Sequence, residues 1–160
     1  MRVANESDID DLYVIYSHDT VSPNMGFDPC SRSEFSKIYS ELTSGGELIV
    51  EESDSAIIAV CKVIRRTRRL RHSVYIGSLA VHYSQQGKGI GKTFFGNIIN
   101  QLKSEGVTRV ELLVAADNVN AIRFFESFGF VIEGTHKNYF SREGSSQLFN
   151  EHTMAWVKYT

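Results

Sequence analysis

The amino-acid sequence predicts a mixed α/β (α+β) fold, with helices packed against a central, twisted and mostly antiparallel sheet. Three strand-like runs, separated by short polar turns, lie between Glu47 and His82. Helical and strand-like patterns then alternate between Ile90 and Lys158, which is typical of a sheet covered by helices. A glycine-rich turn from Gln86 to Lys92 lies where the first pattern changes into the second.

Length and composition favour one globular domain over residues 1–160. The chain has 42% hydrophobic residues, 22% charged residues and a formal net charge of −2, which argues against bulk nucleic-acid binding. No apolar run approaches the roughly 18 residues of a membrane span. Cys30 and Cys61 have no metal-ligand spacing, and charged residues soon follow Met1. We therefore expect no metal, no membrane, no signal peptide and a cytoplasmic location.

The first half is expected to form two helices and then a meander of three antiparallel strands. Apolar residues at helical spacing cover 6–17 and Ser31–Leu42, and Ser7 or Asp8 is expected to cap the first helix. The expected strands are Glu47–Glu51, Ala56–Ile64 and Ser73–His82.

The turn before the third of these strands is rich in arginine. Its arginines are Arg65, Arg66, Arg68, Arg69 and Arg71. A solvated hairpin loop and a patch that steers an acidic substrate or partner both fit this cluster 65–71.

The second half is expected to alternate helices with strands. In order, these are a helix with Ile90, Phe94, Ile98 and Leu102 on one face that Gly106 ends, a buried strand Val107–Val114, a helix capped by Asp117 or Asn118, and closing strands near Phe130–Asn138 and Leu148–Lys158. The connection from Ser73 to Val114 is predicted to be a parallel, right-handed crossover.

The glycine-rich turn indicates a site for a phosphorylated ligand. Glycines let the backbone wrap closely around a phosphate, and the following helix offers free N–H groups and a positive dipole end. A dinucleotide fingerprint requires another glycine spacing. A P-loop would end as Gly91-Lys92-Thr93 does, but Gln86 occupies the place of its first glycine. An acyl-CoA, bound through its pyrophosphate, is the third class of ligand.

A second motif lies downstream, and its defined positions are Asn118, Ala121, Phe124, Phe125, Glu126, Gly129 and Phe130. Together with Gln86, Gly89 and Gly91, it resembles the GCN5-related N-acetyltransferase (GNAT) superfamily. The tail, from Ile132–Lys137 to Met154-Ala155, resembles the branch of small-molecule and amino-acid N-acetyltransferases. The resemblance covers nearly the whole chain and implies the order β-α-α-β-β-β-α-β-α-β-β, with about seven strands and about four helices.

The resemblance implies an N-acetyltransferase that moves an acetyl group from acetyl-CoA to a primary amine by direct attack in a ternary complex. An N–H of Leu79 or Ala80 would polarise the thioester carbonyl, and the turn would hold the pyrophosphate. The implied cofactor-binding residues are Leu79, Ala80, Val81, Gln86, Gly87, Lys88, Gly89, Ile90, Gly91, Lys92, Asn118 and Phe125.

The residues that usually transfer protons in this family are missing. Relatives place a glutamate where this chain has Tyr75 or Leu113, and strand alternation can turn the nearby Glu111 away. The tyrosine that protonates the leaving thiolate is replaced by Phe125, which has no proton to give. The candidates to replace these groups are Tyr75, Tyr139 and His152, each of which could equally be a packing or surface residue. We expect catalysis to depend mainly on positioning and oxyanion stabilisation.

The acceptor is expected to contact the first two helices, their connecting loop with Met25 and Phe27, and the final hairpin. Small-molecule amines, amino acids, polyamines and protein N-termini all fit as acceptors. The resemblance to the family is the only ground for expecting a homodimer. A non-catalytic acyl-CoA sensor of the same fold is the main alternative, and a P-loop nucleotide-binding protein is a further one.

Overall fold

The computed structural model describes residues 1–158, which contain seven strands and four α-helices in the predicted order. The strands are β1 (Arg2–Val3), β2 (Glu47–Ser53), β3 (Ala56–Arg65), β4 (Ser73–Val81), β5 (Arg109–Ala115), β6 (Val131–Ser141) and β7 (Leu148–Val157). The α-helices are α1 (Ile9–Tyr16), α2 (Arg32–Thr43), α3 (Ile90–Ser104) and α4 (Val119–Glu126). The predicted mixed α/β architecture is therefore confirmed.

The strands form one sheet in the order β1-β2-β3-β4-β5-β7-β6. Pairing is antiparallel between β1 and β2, β2 and β3, β5 and β7, and β6 and β7. Strands β4 and β5 are parallel, with Ser73–Tyr75 opposite Arg109–Glu111. Helix α3 connects these two strands, so the predicted parallel crossover is confirmed.

The chain divides into two compact units, each assembled from two separate segments. The first unit comprises Met1–Ile64 and Ile76–Ile98, and the second comprises Arg65–Tyr75 and the chain from Ile99 onward. That the whole chain acts as one domain stays a prediction. Within residues 1–158, none of the helices has the length and hydropathy needed to cross a bilayer.

The core of the first unit holds the second half of β4 in place. Helices α1 and α2 bury Leu12, Tyr16 and Phe35 in one cluster with side chains of β2 and β3, and the cluster includes Ala80 of β4. The rings of Tyr16 and Phe35 lie 6.1 Å apart, in a tilted arrangement. Burying an aromatic or aliphatic side chain of this size stabilises a fold by about 2 kcal/mol.

The first helical segment begins at Glu6, as predicted, and the residue before it provides a cap. A 3₁₀ turn, Glu6–Asp8, precedes α1, and Asn5 caps it by accepting the N–H of Ser7 at 2.9 Å. The carboxylate of Asp8 accepts the N–H of Asn5 at 2.7 Å. Asp8, one of the two predicted caps, occupies the N-cap position of α1, but its side chain makes no capping bond to that helix and instead completes a reciprocal capping box with Asn5.

In the second unit, β5 has one buried face and one half-buried face. Val110, Leu112 and Val114 are buried, whereas Glu111, Leu113 and Ala115 are partly exposed. The registers with β7 and β6 extend the half-buried face across three strands. This surface is called the half-buried face below.

Candidate active site

Strand β4 contains a local irregularity at Ser78, just before three predicted cofactor-binding residues. Ser78 has a φ of 49°, a left-handed conformation that residues other than glycine seldom adopt. The hydroxyl of the fully buried Tyr16 donates to the Ser78 carbonyl at 2.8 Å and so fixes this conformation. Leu79, Ala80 and Val81 follow, and Ala80 is buried while its two neighbours are partly exposed.

A tight turn connects β4 to α3. The carbonyl of His82 accepts the N–H of Gln85 at 2.8 Å, and the His82 ring nitrogen Nδ1 accepts the N–H of Ser84 at 3.3 Å. The chain then passes through Gly87 (φ 75°) and Gly89 (φ 81°) before α3 begins. Both glycines occupy the left-handed region, so this path of the backbone depends on the absence of a Cβ atom.

The amide groups of this turn converge as unused hydrogen-bond donors. The earliest i−4 bond of α3 runs from the Thr93 N–H to the Gly89 carbonyl, at 3.1 Å. Within residues 1–158, the six N–H groups from Gly87 to Lys92 donate to no acceptor. The positive end of the α3 dipole and the exposed side chains of Lys88 and Lys92 lie here, which is a combination typical of anion sites.

Gln86 anchors the turn within the first unit. Its Nε2 donates to the Val81 carbonyl at 3.1 Å and to the Thr20 hydroxyl at 3.0 Å. A Cβ atom on Gly91 would lie 3.2 Å from Cγ2 of Val81, so α3 packs closely on β4 at this point. The structure therefore brings Val81, Gln86 and Gly91 together, as the motif implies, and gives Gln86 a structural role.

Asn118 and Phe125 belong to the second unit. The Oδ1 of Asn118 accepts the N–H of Ala121 at 3.1 Å, so Asn118 caps α4 as predicted. Phe125 is buried, with ring centroids of Phe124 and Phe130 at 5.3 and 6.0 Å. Their predicted roles in cofactor binding stay predictions.

Tyr75 lies on the half-buried face, because it is paired with Glu111 across the parallel β4–β5 register. Burial raises the pKa of Tyr75, and the nearby Glu151 and Tyr139 act in the same direction, while the Leu113 backbone amide acts in the opposite one. The Tyr75 hydroxyl therefore keeps its proton at neutral pH.

Glu151 is the residue of this face that sequence reasoning missed. It lies on β7, opposite Ala115 of β5 and His136 of β6. Burial raises the pKa of Glu151, and only the nearby His136 opposes this. Within residues 1–158, its carboxylate makes no hydrogen bond and no ion pair. The available signal was an acidic residue inside a strand-like run, but its neighbours depend on a strand register that the sequence alone does not reveal.

Other carboxylates of the second unit are bound to arginines. Glu111 receives bonds from Arg66 at 2.7 Å and Arg109 at 2.5 Å, and Arg109 also pairs with Glu133. Glu111 lies on the half-buried face together with Leu113. Its carboxylate is held there by two guanidinium groups.

The structure separates the three predicted catalytic side chains. Tyr139 is 55% exposed, lies near Tyr75, and its ring is 5.0 Å from the ring of His136. His152 alternates with Glu151 along β7 and therefore faces the opposite side of the sheet. Its Nδ1 lies 2.9 Å from the Thr135 hydroxyl. Tyr75, Tyr139 and Glu151 are thus neighbours, whereas His152 is not part of this group.

The arginine turn contains two different kinds of side chain. Arg65 pairs with Glu105 at 2.6 Å, and Arg66 pairs with Glu111 as described above. Arg68, Arg69 and Arg71 are exposed. Within the described part of the chain, no three His, Cys, Asp or Glu side chains cluster in a way that could hold a metal ion.

These features define a class of protein: a mixed α/β fold in which a strand, a glycine-rich turn and a helix N-terminus form an anion site. The chain belongs to the Acetyltransferase (GNAT) family, which matches residues 9–130. The family resemblance of its motifs is thereby confirmed.

Named relatives agree with this assignment. The chain is 30% identical over 109 residues to N-alpha-acetyltransferase 50 of Danio rerio, covering 66% of this chain and 64% of that protein. It is 32% identical over 109 residues to a probable N-acetyltransferase, san, of Drosophila melanogaster, covering 66% of this chain and 59% of that protein. The matches therefore span less than two thirds of the length of these relatives.

Solved structures show the same fold. The crystal structure of ribosomal-protein-alanine N-acetyltransferase from Brucella melitensis superimposes with a TM-score of 0.76 at 20% sequence identity, covering 98% of each chain. At this level of identity the likeness concerns the fold alone.

Proposed function

We propose that this protein is an N-acetyltransferase that uses acetyl-CoA and acts on the primary amine of a small molecule, an amino acid or a protein N-terminus. The observation that carries the proposal is the row of six unused N–H groups from Gly87 to Lys92. The names of its relatives, which are N-acetyltransferases, support the same activity.

The donor set of the turn fits a CoA pyrophosphate. A diphosphate needs several convergent N–H donors and nearby positive charge, and the turn offers both through its backbone, Lys88 and Lys92. Backbone groups of Leu79–Val81 are proposed to bind the amide-rich arm, with an N–H of Leu79 or Ala80 acting as oxyanion donor. When bound, acetyl-CoA supplies the activated acetyl group.

Tyr75 is a side chain proposed for proton transfer, because it keeps its hydroxyl proton. It is therefore suited to donate a hydrogen bond or a proton, which Phe125 cannot do. His152 is withdrawn as a candidate because it faces the opposite side of the sheet.

An amine panel tests the proposal. Purified protein is incubated with acetyl-CoA and single amines, including amino acids, polyamines and short peptides with free N-termini, and released CoA thiol is measured. We expect thiol release with at least one amine class. Acetyl-CoA binding without turnover on any amine would instead support the non-catalytic sensor, and a thermal shift with ATP and Mg²⁺ alone would support the nucleotide-binding alternative.

A pair of glycine variants tests the turn itself. Gly89→Ala places a Cβ atom inside the turn, at a φ of 81°. The control, Gly106→Ala, places a Cβ atom at a similar φ of 84°, but outside the turn and just after α3. Both changes carry similar backbone strain. We expect Gly89→Ala alone to raise the KM for acetyl-CoA by about tenfold, equivalent to ~1.4 kcal/mol. Equal effects of the two variants on KM would contradict the proposed anion site.

A further inference from the structure

We propose that Glu151 is a further catalytic residue, which binds the ammonium group of the acceptor and takes its proton. This inference rests on the proposed function, since it concerns the acceptor side of the same reaction. Glu151 lies opposite Ala115, which shares the half-buried face with Leu113 and Glu111, and Glu111 is paired with Tyr75. The register of three strands therefore places Glu151 on the same face as Tyr75.

Charge balance indicates what kind of group Glu151 binds. The carboxylates of Glu111, Glu133 and Asp117 each pair with arginine, at distances of 2.7 Å for Arg66–Glu111 and 2.6 Å for Arg142–Asp117. Glu151 is partly buried but has no such partner within residues 1–158. Withdrawing a carboxylate from water without a partner costs free energy, and a cation that arrives with the substrate would offset this cost.

The surroundings of Glu151 suit proton transfer. Tyr75 places a phenol group near it, and His136 faces it from β6. His136 is bonded through Nε2 to the Thr153 hydroxyl at 2.8 Å. On the β5 side, the charge of Glu111 is compensated by its arginine partners. Glu151 is thus a carboxylate of this face that has no arginine partner within residues 1–158.

The proton step balances without any further reactant. One N–H bond of the acceptor ammonium breaks, an O–H bond forms on Glu151, and the electron pair stays on nitrogen. The amine then has the lone pair that an attack on a thioester carbonyl requires. Because Glu151 remains partly exposed, its proton can pass to water after each turnover.

If Glu151 served only to stabilise the fold, replacing its carboxylate would lower the Tm. Its burial predicts the opposite. Burial raises the pKa of Glu151, so the folded state binds its proton more tightly than the unfolded state does. The charged form then costs stability as the pH rises above about 4.3, the ordinary value for glutamate. Replacing the carboxylate by a neutral amide is therefore expected to keep or raise the Tm at pH 7, with the difference vanishing near pH 4.

The test compares Glu151→Gln with Glu151→Asp and with the control Glu126→Gln, an exposed glutamate at the end of α4. For the best amine of the panel, we expect Glu151→Gln to lower kcat/KM at pH 7 by about a hundredfold. The loss should shrink towards pH 9, where solution supplies more free amine. The Tm and the thermal shift with acetyl-CoA should be unchanged or higher, and Glu151→Asp should recover part of the rate.

The outcomes separate the two proposals. If the parent protein acetylates an amine and Glu151→Gln is within threefold of it, the role of Glu151 is refuted while the proposed function stands. If Glu151→Gln lowers both the rate and the Tm, the catalytic role of Glu151 is also refuted, since that result indicates a structural residue. Absence of thiol release by the parent protein on every amine refutes both proposals.

Discussion

At the scale of single residues, Tyr75 shows how burial sets the chemistry that a side chain can perform. Its pKa is raised first by burial and then by Glu151 and Tyr139. A phenol that holds its proton is a donor and not a base. Tyr75 therefore complements Glu151, which is suited to accept a proton, and neither role requires the tyrosine that Phe125 replaces.

Removal of the Tyr75 hydroxyl tests this assignment. We expect Tyr75→Phe to lower kcat by about tenfold to a hundredfold, while the KM for acetyl-CoA and the Tm stay close to those of the parent. Tyr83→Phe is the control, because Tyr83 is exposed in the turn after β4. A loss above a thousandfold would contradict catalysis mainly by positioning, and an unchanged kcat would remove Tyr75 from the reaction.

At the scale of elements, α1 shapes the strand that is proposed to bind the cofactor arm. The Tyr16 hydroxyl holds the Ser78 carbonyl, and the loop after α1 reaches the turn through the Thr20–Gln86 bond at 3.0 Å. In the same loop, the His18 ring stacks on Tyr83 with centroids 4.2 Å apart. The geometry of β4 and its turn therefore depends on residues that precede them by some sixty positions.

Tyr16→Phe tests this dependence. The variant leaves the Ser78 carbonyl without its donor, so we expect a loss of about 1 kcal/mol in the free energy of unfolding. We also expect a higher KM for acetyl-CoA, measured by thiol release. The matched control is Tyr13→Phe, which removes a hydroxyl of the same helix that donates to the Cys30 carbonyl at 3.3 Å. An unchanged KM in Tyr16→Phe would show that Ser78 keeps its conformation without this bond.

At the scale of the whole molecule, stability at low pH depends on a carboxylate near the N-terminus. Asp8 is buried and accepts two bonds from the Arg2 guanidinium, at 2.6 and 2.7 Å. The Arg2 side chain holds the pKa of Asp8 below its ordinary value. This interaction joins β1 to the start of the first helical segment.

The pH dependence of unfolding checks the contribution of Asp8. Because its folded-state pKa is lowered, the stabilisation is present above about pH 4, the ordinary value for aspartate, and is lost as the pH falls below it. We expect Asp8→Asn to be less stable than the parent at pH 7 and to approach it near pH 2, in denaturant titrations. Asp28→Asn, at an exposed position, is the control. An equal loss of stability at both pH values would contradict an electrostatic origin.

Local patterns in the sequence predicted the elements well. Periods of two and of about 3.6 residues are properties of neighbouring residues, so strands and helices could be recognised without any tertiary information. The observed α3 begins at Ile90 and ends at Ser104, just before Gly106, which was predicted to stop it. The glycine turn was recognisable for the same reason, because φ angles of 75° and 81° are backbone requirements that Gly87 and Gly89 meet locally.

Interactions across the fold were not predictable in this way. Asn5 was not recognised as a cap, because it acts as a pair with Asp8, which in turn is bound by Arg2 of β1. The ion pair of Glu111 was not foreseen, because its partner Arg66 comes from the turn before β4. In each case, the decisive contact joins residues whose proximity follows from packing or strand pairing.

The sequence by itself determined the fold class, the family and the position of the glycine-rich turn, because these depend on periodicity, glycine conformation and short motifs. Only the tertiary structure decided which charged and phenolic groups face one another. The β5–β7 register places Glu151 opposite Ala115 and on the face of Tyr75, while alternation along β7 turns His152 to the other side. Strand register is a long-range property, and a shift of one residue would exchange these two side chains.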